Sequence, residues 1–152
     1  MDTNQRKELF ETVSKFKKLH SWMPPVAGLS QGEFIMMHKL DDCNKEKTDQ
    51  DTPGVKISTL CACTHMSMPG VSQMLNSLEN KEMIERIMAK DDRRVVYVDL
   101  TVKGHALLDE AIRKFIIIVD QIMEEFGEED TKTLIALLNK FYTITEQLKN
   151  NK

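Results

Sequence analysis

Cysteine, proline, glycine and aromatic residues are all scarce in this sequence, and each shortage removes a class of architecture. Three cysteines among 152 residues, an odd number, do not suit the disulfide framework of a small secreted domain and point to reduced thiols in a cytoplasmic protein. Six glycines and four prolines leave an all-β fold short of turn residues. The longest all-apolar stretch in the C-terminal half, Phe115 to Val119, falls far below the roughly 20 residues that cross a bilayer. Met1 to Lys18 is polar and charged, unlike a secretory signal, so no membrane is expected as a partner. Gly-rich phosphate loops and the His-Glu-x-x-His, Gly-x-Ser-x-Gly and Cys-x-x-Cys motifs are missing; neither an enzyme nor a cofactor protein is expected. An excess of positive charge is missing too. Lys and Arg number 21 against 24 Asp and Glu, a formal net charge of -3, which taken as a sum tells against nucleic acid. Binding depends on where charges sit, so the sum does not decide it.

What is present is ordinary for a folded chain: 30% charged and 41% hydrophobic residues, in a length that suits one domain, 1–152. Leu9, Phe10, Val13, Phe16 and Leu19 recur at helical spacing, predicting a helix from about Gln5 to His20 that Pro24-Pro25 ends. Ser30 with Glu33 forms a capping box for a second helix, about Gln31 to Asp42, expected to bury Phe34, Ile35, Met37 and Leu40. Asn44 to Gly54 is polar throughout and reads as a solvated loop. Val55 to Ile57 suits a short strand, with Ser58 capping a short helix to about Thr64. Ser67 caps another that opens at Met68-Pro69 and buries Val71, Met74, Leu75 and Leu78. From Ile84 to Leu100 the period changes to that of a β-hairpin with a charged tip. Thr101 then caps a long helix to about Phe126, Gly127 breaks it, and a last helix runs from about Glu129 to Lys149.

Short helix, tight turn, second helix and charged hairpin make the layout of a winged helix-turn-helix. The residues carry a resemblance as well. Ser58 to Glu79, containing Leu60, Ser67, Val71, Ser72, Leu75 and Leu78, resembles the helix-turn-helix of the multiple antibiotic resistance regulator (MarR) family. Met83-Ile84-Glu85-Arg86, Asp92-Arg93-Arg94 and Leu100-Thr101-Val-Lys-Gly104 stand where that family has its "LIxR", "DxR" and "LTxxG" elements. Leu29 to Phe34 matches in kind, so the resemblance spans nearly the whole chain in the family's order. This chain departs from the family at His65 and Glu82, two positions where the family has Gly and where a positive φ would account for it.

The resemblance implies a mainly α fold with a small β-hairpin wing: a DNA-binding part over about 30–100, and dimerisation helices over about 1–22 and 101–150. It implies a bacterial transcriptional regulator, a repressor, that binds double-stranded DNA as a homodimer at a pseudo-palindromic site. With Val71, Met74, Leu75 and Leu78 inward, Met68, Pro69, Ser72, Gln73 and Asn76 remain to face bases, and Ser67 with the free helix N–H groups to receive a phosphate. No Lys or Arg occurs from Ile57 through Asn80. The attraction to phosphate is therefore assigned to Lys90, Arg93 and Arg94 at the hairpin tip, with Asp92 holding Arg94 in orientation on a shared strand face. From Lys56 to Arg94 there are six positive and five negative residues, and from His105 onward six positive and nine negative. The acid lies away from the proposed DNA face.

The resemblance also implies release by a small apolar or aromatic ligand, in a pocket near His20, Trp22, Met23, Met36 and Met37. The competing reading makes these residues plain core. Cys61, Cys63 and His65 invite a metal reading, but on a helix Cys63 points away from the other two, so no metal site is expected. A thiol-sensing regulator of the same fold is the alternative function, with Cys63 the more exposed thiol and Cys43 its partner. The family's peroxide sensors place their cysteine in the first helix, where this chain has none. A winged domain used only for protein contact is the remaining alternative, disfavoured by the Arg-tipped hairpin.

Overall fold

The computed structural model describes residues 2–18, 26–49, 51–90 and 92–150, with the side chains of 16–18 left aside. Its elements are α1 (Thr3–Lys18), α2 (Gln31–Glu46), β1 (Val55–Lys56), α3 (Ile57–Thr64), α4 (Met68–Asn80), β2 (Ile84–Met88), β3 (Val96–Leu100), α5 (Val102–Phe126) and α6 (Glu128–Asn150). Internal contacts divide the chain into two compact units, Met1–Ile112 and Arg113–Lys152.

Within the first unit the three strands form an antiparallel sheet of order β1-β3-β2. Val55 lies opposite Val98 and Ile84 opposite Leu100, so the sheet delivers Val55, Ile84, Val98 and Leu100 to one core. That core is closed by Met36, Met37 and Leu40 of α2, Leu60 of α3, Val71, Leu75 and Leu78 of α4, and Leu108 of α5. Burial at helical spacing on four helices, and at alternate residues on the sheet, is what the apolar periodicity dictates.

Local signals set most of the boundaries. Ser30 Oγ accepts the Glu33 N–H at 3.2 Å while Glu33 Oε2 accepts the Ser30 N–H at 2.6 Å, a complete capping box. Ser67 Oγ accepts the Gly70 N–H at 3.3 Å and Thr101 Oγ1 the Gly104 N–H at 3.0 Å, so both expected caps are formed. Other boundaries differ from expectation. α2 runs a turn further than Asp42, to Glu46, and its buried stripe is Met36, Met37, Leu40, Asp41 and Cys43, with Ile35 exposed and Phe34 half-buried. Ser58 caps nothing; β1 ends at Lys56, which is the N-cap of α3 without a side-chain bond. The strand stops early because Ile57 already packs against the core as the first helical residue.

Both positions where the family has Gly adopt the left-handed conformation, His65 at φ 54° and Glu82 at φ 62°. At Glu82 the end of α4 is closed by a Schellman motif: the Glu82 N–H bonds the Glu79 carbonyl and the Met83 N–H the Leu78 carbonyl, both at 2.9 Å. Thr101 Oγ1 donates to the Glu82 carbonyl and Lys103 Nζ binds its carboxylate at 2.9 Å, so the first turn of α5 staples this strained residue. Gly104 lies so close to the Met83 carbonyl that a Cβ would collide with it. This contact explains the last residue of the Leu-Thr-x-x-Gly element.

In the second unit, α5 continues from Arg113 to Phe126, Gly127 breaks the chain at φ 88°, and α6 follows. Ile116, Ile117, Ile122, Ile135, Leu137, Leu138, Phe141, Ile144 and Leu148 are all exposed on these helices, as are Leu9, Phe10 and Val13 on α1. Among the described residues no helix is long and apolar enough to cross a membrane.

Candidate nucleic-acid interface

α4 turns its apolar stripe inward and leaves one polar edge outward. Val71, Leu75 and Leu78 are fully buried and Met74 half-buried, which orients the helix about its axis. Ser67, Met68, Pro69, Gln73 and Asn76 are consequently exposed, and Ser72 is half-exposed. These six residues therefore lie together along one edge, beginning at the N-terminus of the helix, where unpaired N–H groups concentrate. Among them Gln73 and Asn76 each carry an amide that can donate and accept at once, the requirement for reading an adenine edge.

One residue of the sheet alters that edge. Arg86 of β2 reaches across to α4, donating from Nη2 to Asn76 Oδ1 at 2.8 Å and pairing through Nη1 with Glu79 Oε2 at 2.9 Å. Asn76 thus has its carbonyl already engaged and presents only its amino group, whereas Gln73 has no such constraint among the hydrogen bonds of the described residues. Arg86 brings a half-buried guanidinium against a helix that has no cation of its own. Its Nε is buried without a partner among the described residues. Strand alternation carried the signal for this residue: Arg86 shares its face of β2 with buried Ile84 and so points toward α4.

The wing is the turn between β2 and β3. Ala89 N–H bonds the Val95 carbonyl at 3.0 Å and Val95 N–H the Asp92 carbonyl at 2.9 Å, closing a tight loop. Lys90, Arg93 and Arg94 are exposed on it. Asp92 acts differently from expectation, because 92–94 form the turn itself and are not on a strand. Asp92 Oδ1 accepts the Arg94 backbone N–H at 2.9 Å, so it shapes the loop rather than holding the guanidinium.

α4 is pinned to α2 by a buried carboxylate that its sequence signature presents only as a cap. Glu33, 5% exposed, accepts bonds from Ser77 Oγ at 2.6 Å and from Lys81 Nζ at 2.7 Å in addition to its cap bond. Burial alone would raise its pKa. The bonds from Lys81, Ser77 and Ser30 outweigh that and hold it down at about 2.

Of the residues assigned to a ligand pocket, Met36 and Met37 are fully buried in the core; His20, Trp22 and Met23 lie outside the described residues. Cys61 is half-buried with Sγ 3.7 Å from Met68 Sδ, and His65 follows the helix end in a left-handed turn, exposed.

Comparison with known proteins agrees with this geometry. Residues 18–111 match the family model described as transcriptional regulator SarA/Rot. Bacillus subtilis YwhA, an HTH-type transcriptional regulator, is 29% identical over 75 residues, 49% of this chain and 54% of that protein, so the alignment spans about half the length of each. The crystal structure of Streptococcus pneumoniae FabT in complex with DNA superposes with a TM-score of 0.65 at 26% identity, covering 95% of both chains. A structure described as MarR family transcription regulator SP03579 reaches 0.78 at 17% identity, covering 99% of this chain and 98% of the other.

Proposed function

The chain belongs to the transcriptional regulator SarA/Rot family and is a MarR-family winged helix-turn-helix DNA-binding regulator; from that premise we propose how it reads its site. α4 enters the major groove with Gln73 and Asn76 toward base edges, Met68, Pro69 and Ser72 beside them, and Ser67 at a phosphate. The wing lays Lys90, Arg93 and Arg94 along the adjoining minor groove. The observation that carries this reading is the shared exposure of one polar edge of α4 and a cationic turn one strand further along the chain, both anchored to a single core.

The protein acts as a homodimer that represses transcription. Wide exposed apolar faces on α1, α5 and α6 support this, since isolated apolar side chains are normal on a surface but whole helical faces are not. Two-fold pairing would set two copies of α4 about 34 Å apart, one helical turn of DNA, at a pseudo-palindromic site. On this reading 1–152 acts as one functional domain with its terminal helices as dimer arms. A small apolar or aromatic effector would release the DNA, and the His20, Trp22, Met23, Met36 and Met37 region is where it is sought.

Selection of bound DNA from a random pool tests the reading. The expected product is an inverted repeat with half-sites one turn apart, bound with an affinity that falls steeply as salt is added. Failure to enrich any sequence, or an affinity indifferent to salt, would overturn it.

A further inference from the structure

Two of the three thiols meet at a surface groove on the far side of α3 from the Cys61–Met68 contact. The groove, about 460 Å³, is lined by Cys43 near the C-terminal end of α2, Thr59 and Cys63 of α3, Lys56 of β1 and Tyr97 of β3. Cys43 is buried at its floor and Cys63 is exposed at its wall. Both thiols line this one groove, where α2 and α3 pack directly together. One thiol is open to solvent, and the other is within reach of it but shielded.

We propose that Cys43 and Cys63 form a dithiol–disulfide modification site whose substrate is a hydroperoxide. Cys63, as thiolate, attacks the peroxide oxygen; the O–O bond breaks, the alkoxide or hydroxide leaves with a proton from solvent, and Cys63 becomes a sulfenic acid. Cys43 then attacks the Cys63 sulfur, the S–O bond breaks, and hydroxide takes the Cys43 proton and departs as water. In sum two thiols are oxidised and one peroxide is reduced to an alcohol or water plus a second water. The assignment of roles follows from the environment. Burial pushes the Cys43 thiol up to about 12, helped by the neighbouring Cys63 thiol and by Glu46 and Asp42. It therefore keeps its proton until the sulfenic acid is beside it, which is the behaviour of a resolving thiol.

Disulfide closure brings the sulfurs to about 2.05 Å, nearer than any non-bonded contact, and draws α3 toward α2. α3 packs on α4, so oxidation displaces the reading helix and lowers DNA affinity; this consequence alone rests on the DNA-binding reading above.

The test uses the full chain carrying Cys61→Ser, because no Lys or Arg lies between Lys56 and Lys81 and trypsin leaves Cys61 and Cys63 on one peptide. After brief treatment with hydrogen peroxide, non-reducing digestion should yield the Leu40–Lys45 peptide joined to the Ile57–Lys81 peptide, two hydrogens lighter than the sum and split by dithiothreitol. A further Cys63→Ser change, at an exposed site, should abolish the link. Accumulation of Cys63 sulfinic acid beside free Cys43, or disulfides between chains only, would overturn the site. Affinity for the selected DNA should fall at least tenfold on oxidation and return on reduction; full affinity in protein shown by mass to be cross-linked would overturn the coupling. Reduced protein that binds no DNA would instead refute the DNA-binding reading and leave the mass measurement standing.

Discussion

Replacing Glu33 by Gln removes one charge and one acceptor oxygen and leaves the shape of the side chain nearly unchanged. Gln is an accepted partner in a capping box, so the N-terminus of α2 stays capped, and the side-chain volume is nearly unchanged. What differs is the charge and one acceptor oxygen. The carboxylate accepts bonds from the Ser30 N–H, Ser77 Oγ and Lys81 Nζ; an amide has a single acceptor oxygen and would turn its NH2 toward one of these donors. The fall in the Glu33 pKa from 4.5 to about 2 corresponds to on the order of 3 kcal/mol between ionised and neutral forms. Lys81 is 37% exposed, so solvent screens part of this, and Glu33→Gln should cost roughly 1–3 kcal/mol at neutral pH. The pH dependence follows from the same shift. A carboxyl that binds its proton less tightly when folded contributes fully above about pH 4.5 and loses that contribution as pH falls toward 2. Urea unfolding of both proteins at one protein concentration, repeated from pH 7 down to pH 3, reads both effects. The gap between them should be widest near pH 7 and narrow through the acid range. Equal stability at pH 7, or a gap that does not change with pH, would refute the account of Glu33 as a charged link between α2 and α4.

Gly104→Ala should lower the thermal midpoint by an amount equivalent to about 1–3 kcal/mol, since its Cβ collides with the Met83 carbonyl; an unmoved midpoint would show that the α5 turn yields freely. Gln73→Ala should relax base preference at one position per half-site at a cost of about 1–3 kcal/mol. Asn76→Ala should relax preference less, because Arg86 already holds the Asn76 carbonyl. Repeating the selection with each variant decides the order. Arg94→Ala should weaken binding to every sequence alike and reduce the log–log salt slope by about 2, because each protomer then neutralises one phosphate fewer; an unchanged slope would place the wing off the DNA.

Much of this was legible in the sequence because the signals are local. Ser67 and Thr101 announced their helices, and the apolar stripe of α4 fixed which of its residues face outward. The two non-glycine residues at His65 and Glu82 marked the left-handed turns correctly. What escaped depends on partners distant in the chain. Glu33 looked like a cap and is also a link to Ser77 and Lys81, more than forty residues on. Arg86 looked like part of a motif and turned out to govern Asn76. Asp92 was read on strand periodicity, yet it sits in a turn, where a short carboxylate bonds the backbone two residues ahead. Ser58 failed as a cap because packing of Ile57 started α3 one residue early.

The absence of any lysine or arginine on α4 and the turn before it bears on how such a regulator finds its site. Adhesion to arbitrary DNA comes almost wholly from phosphate contacts, and here the cations assigned to DNA sit at the tip of the wing. If those are the phosphate contacts, encounters with the wrong sequence should be brief, and one-dimensional sliding between trials short. Search would then proceed mainly by release and recapture, with occupancy at a promoter set by the few sites where the amides proposed to read DNA on α4 find their bases.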